Sequence, residues 1–156
     1  MKDSGPQHRR GSVLLELALS VIVLVLLAAG ALQFGYAFYA YGQLQRAVRN
    51  GARFASLEPY PTRTPACLER QKERVRRFVV YGDPAPGKGR NSCVPGLSPE
   101  RVEVVYHADE KGVPVSVEVA IRGFRLASVF STYELDGAPA AAAPFTGRYA
   151  PNGCPP

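Results

Sequence analysis

Glu16 is the one ionisable residue in an otherwise apolar run from Ser12 to Leu32, and it follows closely on Gly11, which ends a basic stretch containing Arg9 and Arg10. A carboxylate that stays charged near hydrocarbon costs roughly 2 to 3 kcal/mol on insertion scales, less near the interface. The position therefore calls for a cationic partner. From the residues alone, Glu16 either snorkels to the cytoplasmic headgroups or meets Arg9 or Arg10 of its own chain. Cys67, Cys93 and Cys154 all fall beyond the apolar run. In an exported segment three cysteines read as one disulfide and one leftover thiol. Cys67 and Cys93 bracket an expected helix, so a bond between them is predicted, contributing about 3 kcal/mol to a small core. Cys154 is then free or joined to another chain.

Other chemistry is sparse. The only histidines are His8 and His107, which leaves no His pair for a metal and no nucleophile elbow for a Ser-His-acid arrangement. His107 is expected to be a surface or turn residue. Gly82, four residues, Gly87 and Lys88 begin like a phosphate-binding loop. Gly89 then stands where a Ser or Thr would hold Mg²⁺, and Pro84 and Pro86 lack the N–H groups such a loop needs. No nucleotide, metal or cofactor site is expected, and the chain reads as a non-enzyme.

The elements that position these residues start with a membrane segment. Ser12 to Leu32 is about 20 residues, or roughly 30 Å as a helix, which matches a bilayer core. Lys2, Arg9 and Arg10 precede it with only Asp3 against them, a bias that holds residues 1–11 in the cytoplasm and sends the remainder outside. An aromatic cluster from Phe34 to Tyr41 suits the far headgroup level. Leu44, Ala47, Val48, Gly51, Ala52 and Ala55 continue at helical spacing, with no proline until Pro59. One continuous helix over residues 12–57 is predicted, a transmembrane part running into an amphipathic extension, about 65 Å long. The small face of Ala47, Gly51, Ala52 and Ala55 admits two uses: close approach of another helix, or cover for the chain's own outer domain. Ala29, Gly30 and Ala31 also have the form of a signal-peptidase site, so a secreted module released after Ala31 stays open, as does a plain single-pass anchor that presents a small binding domain.

The succession Arg9, Arg10, Gly11, then Ser12, Val13, Leu14, Leu15 and Glu16 resembles a type IV prepilin peptidase site. In that family cleavage follows the Gly, and the Glu pairs with the new N-terminal amine of a neighbouring subunit; here that amine would belong to Ser12. The stretch from Arg10 to Ser56 is similar to the TadE-like family of tight-adherence (Flp-type) pilus assembly proteins. Arg10, Gly11, Glu16 and Ala18 carry the likeness, with the Gly35 to Tyr41 segment and the run from Leu44 to Ala55. The resemblance implies a minor pilin-like protein or pseudopilin of the bacterial inner membrane, partnered by other pilin-like subunits, pilus assembly machinery and a prepilin peptidase. Leu17 departs from the Tyr of major Flp pilins.

Residues 58–137 form the expected outer domain. Pro59, Pro61 and Pro65 break the long helix, and Leu68, Lys72, Val75, Phe78 and Val79 place a mostly apolar stripe on a helix ending near Tyr81. Its cations, Arg70, Lys72, Arg74, Arg76 and Arg77, read as a solvated face balanced by Glu69 and Glu73, so the net charge of +6 does not point to nucleic acid. Val102 to Tyr106 and Val113 to Ile121 alternate with period two around a turn at Asp109 to Gly112, which predicts a β-hairpin covered by that short helix. A third strand is expected from about Val129 to Leu135. Residues 138–156, rich in Ala and Pro, read as a poorly ordered tail. The predicted class is α+β: a long N-terminal helix, then a short helix packed on a small antiparallel sheet.

Overall fold

The computed structural model describes residues 7–61, 65–87, 89–127, 132–135, 139–147 and 149–150. Its elements, in order, are α1 (Gln7–Leu57), β1 (Tyr60–Pro61), α2 (Pro65–Tyr81), a 3-10 turn (Pro99–Arg101), β2 (Val102–Ala108), β3 (Pro114–Ile121), β4 (Phe124–Ala127), β5 (Thr132–Leu135), β6 (Ala140–Pro144) and β7 (Tyr149–Ala150). This is the expected α+β arrangement.

With no helix breaker inside it, α1 runs unbroken for 51 residues. Its two halves meet different surroundings. From Val13 to Leu27 the large apolar side chains stand 47–68% exposed, an outward apolar surface of the kind that faces lipid. From Ala40 onward, Leu44, Val48, Ala52 and Ala55 recur every three or four residues and are buried. They form the centre of the core with Val75, Val79 and Val80 of α2 and Val102, Val104, Val117, Val119 and Ile121 of the sheet. The small residues of α1 thus cover the chain's own domain, which settles one of the alternatives left by the sequence. At the end of α1, Ser56 Oγ donates to the Arg53 carbonyl at 2.8 Å, and the Thr146 N–H donates to the Ser56 carbonyl at 3.0 Å. A carbonyl stranded by the helix end is thereby satisfied.

The sheet is antiparallel with order β2-β3-β6, and Val104 pairs with Val119, which in turn pairs with Ala141. The hairpin turn falls at Asp109 to Gly112 as predicted, because Asp109 Oδ1 accepts the N–H groups of Lys111 and Val113 at 3.0 and 2.8 Å. Both helices lie on one face of the sheet: α1 packs on β3, β6 and α2, while α2 packs on α1, β2 and the 3-10 turn. The principal cover of the hairpin is therefore α1, with α2 beside it.

Three expectations are corrected. The third strand of the sheet comes from the supposed tail: Ala140–Pro144 pairs with Ser116 to Ala120, and Ala141 and Ala143 pack against the core. Alanine has low strand propensity, but a side chain this small lets α1 lie close over the outer strand. The expected strand near Val129 to Leu135 instead gives β5, which pairs with β4 as a separate ribbon; residues 128–131 lie outside the described set. The buried stripe of α2 is also rotated from the predicted one. Gln71, Val75, Val79 and Val80 are buried, whereas Leu68, Lys72 and Phe78 are half-buried, Phe78 stacking on Phe54 at 4.4 Å between ring centroids.

Candidate assembly site on the long helix

Gly11, Ser12 and Glu16 all sit on α1, well outside the packed domain, and are exposed. Ser12, Glu16 and Ser20 recur every four residues and so share a helix face. With Leu15, Leu19, Val23, Leu24 and Leu27 they line one open groove along it. The side chains of Arg9 and Arg10 lie outside the described residues. The groove offers apolar surface for a neighbouring helix and a single carboxylate for a cation; it has neither the enclosure nor the converging polar groups of a catalytic pocket. Helical backbone also continues through Ala31.

Among the described residues, α1 is the only helix long and apolar enough to cross a membrane. Residues 11–53 match the family of TadE-like proteins. The TadE-like match begins at Gly11 and ends one turn before the close of α1, so it covers the exposed apolar half and most of the half that fills the core. No curated protein and no solved structure matches the chain. Beyond the TadE-like segment, the outer domain is understood from its own geometry.

The cysteines correct the predicted disulfide. Cys67 is disulfide-bonded, whereas Cys93 carries a free, exposed thiol. The reason is the length of α2. Cys67 lies in its first turn, while the Cys93 N–H donates to the Val80 carbonyl at 2.8 Å, beside the last turn. About 20 Å of helix separates the two places, and a disulfide needs Cα atoms roughly 4.4 to 6.8 Å apart. Cys154 lies outside the described residues.

Among the described residues, four of the five cations on the basic helix face have partners, the predicted Glu69 and Glu73 among those partners. Lys72 meets Glu69 at 3.0 Å, Arg77 meets Glu73 at 3.0 Å, Arg74 meets Glu58 at 3.2 Å, and Arg76 donates to the Val102 carbonyl at 3.1 Å. His107 is exposed on β2 and faces Glu118 across the strands at 3.2 Å. Gly82, taken in sequence for the start of a possible phosphate loop, is the C-terminal cap of α2. Its φ is +70°, and its N–H donates to the Phe78 carbonyl at 2.8 Å. A phosphate loop needs a strand before it and a helix after it; here a helix precedes.

Sequence reasoning missed a polar seam under the domain. Tyr106 packs against Tyr60 and Phe145, and its hydroxyl is buried without a protein hydrogen-bond partner. Burial first, then the nearby Glu58 and Tyr60, push its phenol well above the ordinary value. Sequence reasoning also passed over Arg46, Arg49 and Arg53, although their spacing of three and four marks a single face.

Proposed function

We propose that the chain is a minor pilin-like component of a tight-adherence pilus or related secretion system. It sits in the bacterial inner membrane with residues 1–11 cytoplasmic and the domain outside. The observation that carries this reading is the form of α1: one helix that is exposed and mostly apolar from Gly11 to Ala28, holds a lone carboxylate at Glu16, and from Ala37 onward joins the core of its own domain. A helix built only to anchor needs no such carboxylate. A subunit that leaves the bilayer to pack against others uses it to meet a neighbour's amine, and the TadE-like match over this stretch supports that use.

In this mechanism a prepilin peptidase cleaves after Gly11, the new amine belongs to Ser12, and Glu16 pairs with the amine of an adjacent subunit in a low-dielectric setting where the attraction is strong. The packing work is done by the groove of Leu15, Leu19, Val23 and Leu27. The role is structural, with no bond made or broken by this chain.

The test is intact mass with N-terminal peptide mapping of protein purified from its host's membranes. A mature chain beginning at Ser12 is expected. A chain that keeps Met1 in cells with an active prepilin peptidase overturns the processing step and leaves a plain anchor; one beginning at Leu32 makes it a secreted module.

A further inference from the structure

One face of α1 stays unpartnered outside the membrane. Arg46, Arg49 and Arg53 are exposed, and among the described residues their side chains make no ion pair or hydrogen bond. They stand opposite the face formed by Leu44, Val48, Ala52 and Ala55, and so point away from the domain. No carboxylate on α1 answers them, since the helix has only Glu16, about 45 Å below Arg46. The same stripe continues downward at helical spacing through Gly42 and Gly35, where an added Cβ would meet nothing within 4 Å, with the exposed rings of Phe38 and Tyr39 between them. Glycine inside a helix costs about 1 kcal/mol relative to alanine, and nothing within the chain requires it at these two positions.

Resting on the pilin-like reading, we infer that this stripe docks the membrane-crossing helix of a different subunit. That helix seats its side chains in the notches at Gly35 and Gly42, against Phe38 and Tyr39, and carries carboxylates, three and four residues apart, opposite Arg46, Arg49 and Arg53. Small residues make room for a partner helix, and the arginines then fix the height and identity of the partner by charge. A second copy alongside sets arginine against arginine. Lipid headgroups do not reach the whole ladder, because Arg53 stands about 21 Å beyond Tyr39, several times the roughly 5 to 8 Å of one headgroup layer.

The test places a photocrosslinker on the stripe by Asn50→benzoylphenylalanine in the full chain, expressed in its host. Asn50 is exposed among the arginines. The expected result is an adduct to a helical segment of another membrane protein with Asp or Glu at spacing of three or four. Its yield falls about tenfold in R46Q/R49Q/R53Q and is kept in R46K/R49K/R53K. Unchanged protease resistance of the outer domain shows that these variants fold. An adduct to a second copy, to lipid or to a segment without acids overturns the inference, as does no adduct or a yield indifferent to the glutamine variant. The N-terminal mapping above is read separately: a chain cut at Ser12 without the adduct defeats this inference alone, and an acid-dependent adduct on an uncut chain defeats only the processing step.

Discussion

Gly51 of α1 faces Val79 of α2 so closely that a Cβ at position 51 would overlap the Val79 Cγ2 methyl. Both residues are buried, and a β-branched valine has little rotamer freedom with which to yield. Gly51→Ala gains about 1 kcal/mol of helix propensity but overpacks the contact at a cost of about 1 to 3 kcal/mol. The expected result is a net loss, of up to about 2 kcal/mol, measured by thermal or denaturant unfolding of the full chain in detergent. Val79→Ala in the same chain should recover much of it, and a double-mutant cycle reads the coupling.

Cysteine labelling separates the two described cysteines. Without reductant, Cys93 is expected to take an alkylating reagent and Cys67 to resist it until the protein is reduced. Cys93→Ser should alter stability by less than about 0.5 kcal/mol, whereas Cys67→Ser should lower it by about 2 to 4 kcal/mol. Peptide mapping that finds Cys67 joined to Cys93 would contradict the geometry at the two ends of α2.

Alkaline stability follows from Tyr106. Its folded-state pKa is raised, chiefly by burial, above the unfolded value of 10.0. The sign is therefore fixed: its contribution is complete below about pH 10 and is lost as pH rises through the folded value, because unfolding releases the phenol to ionise. Tyr106→Phe removes a buried hydroxyl that has no protein partner, so it is expected to stabilise the domain by about 1 kcal/mol. It should also flatten the fall in stability between about pH 10 and 11, and unfolding curves of both forms across that range check this.

Removing residues 138–156 should unfold the outer domain instead of trimming a loose end. The cut takes away β6, leaves β3 an open edge paired only with β2 and uncovers α1 where Ala141 and Ala143 had packed. Limited proteolysis of the truncated chain in membranes is expected to digest it back to α1, under conditions that leave the full chain intact.

Much of this architecture was legible because its periods are strong. Leu44, Val48, Ala52 and Ala55 repeat at helical spacing, and Val102, Val104, Val117 and Val119 alternate as a strand face does. The Ala140 to Pro144 strand was not legible, because alanines carry no period and the partner that makes them a strand, β3, lies some twenty residues earlier. The disulfide was misread for a different reason: bracketing a helix in sequence placed Cys67 and Cys93 at its opposite ends in space. Glu16 stands out from local order alone, since a lone carboxylate in an apolar run needs no tertiary contact to be noticed, whereas Gly11 and Ser12 entered only through the resemblance to a prepilin peptidase site.

The unbroken course of α1 leaves the outer domain without a swivel. Anchor and core are the same rod, so a turn of the membrane half about its axis turns the domain and its arginine face through the same angle, and a lift of the rod raises both equally. One residue inserted between Tyr41 and Leu44 would rotate everything beyond it by about 100° and raise it about 1.5 Å. The length of chain between bilayer and domain therefore acts as a setting of azimuth, and a neighbour gripping the lower part is handed the upper part already aimed.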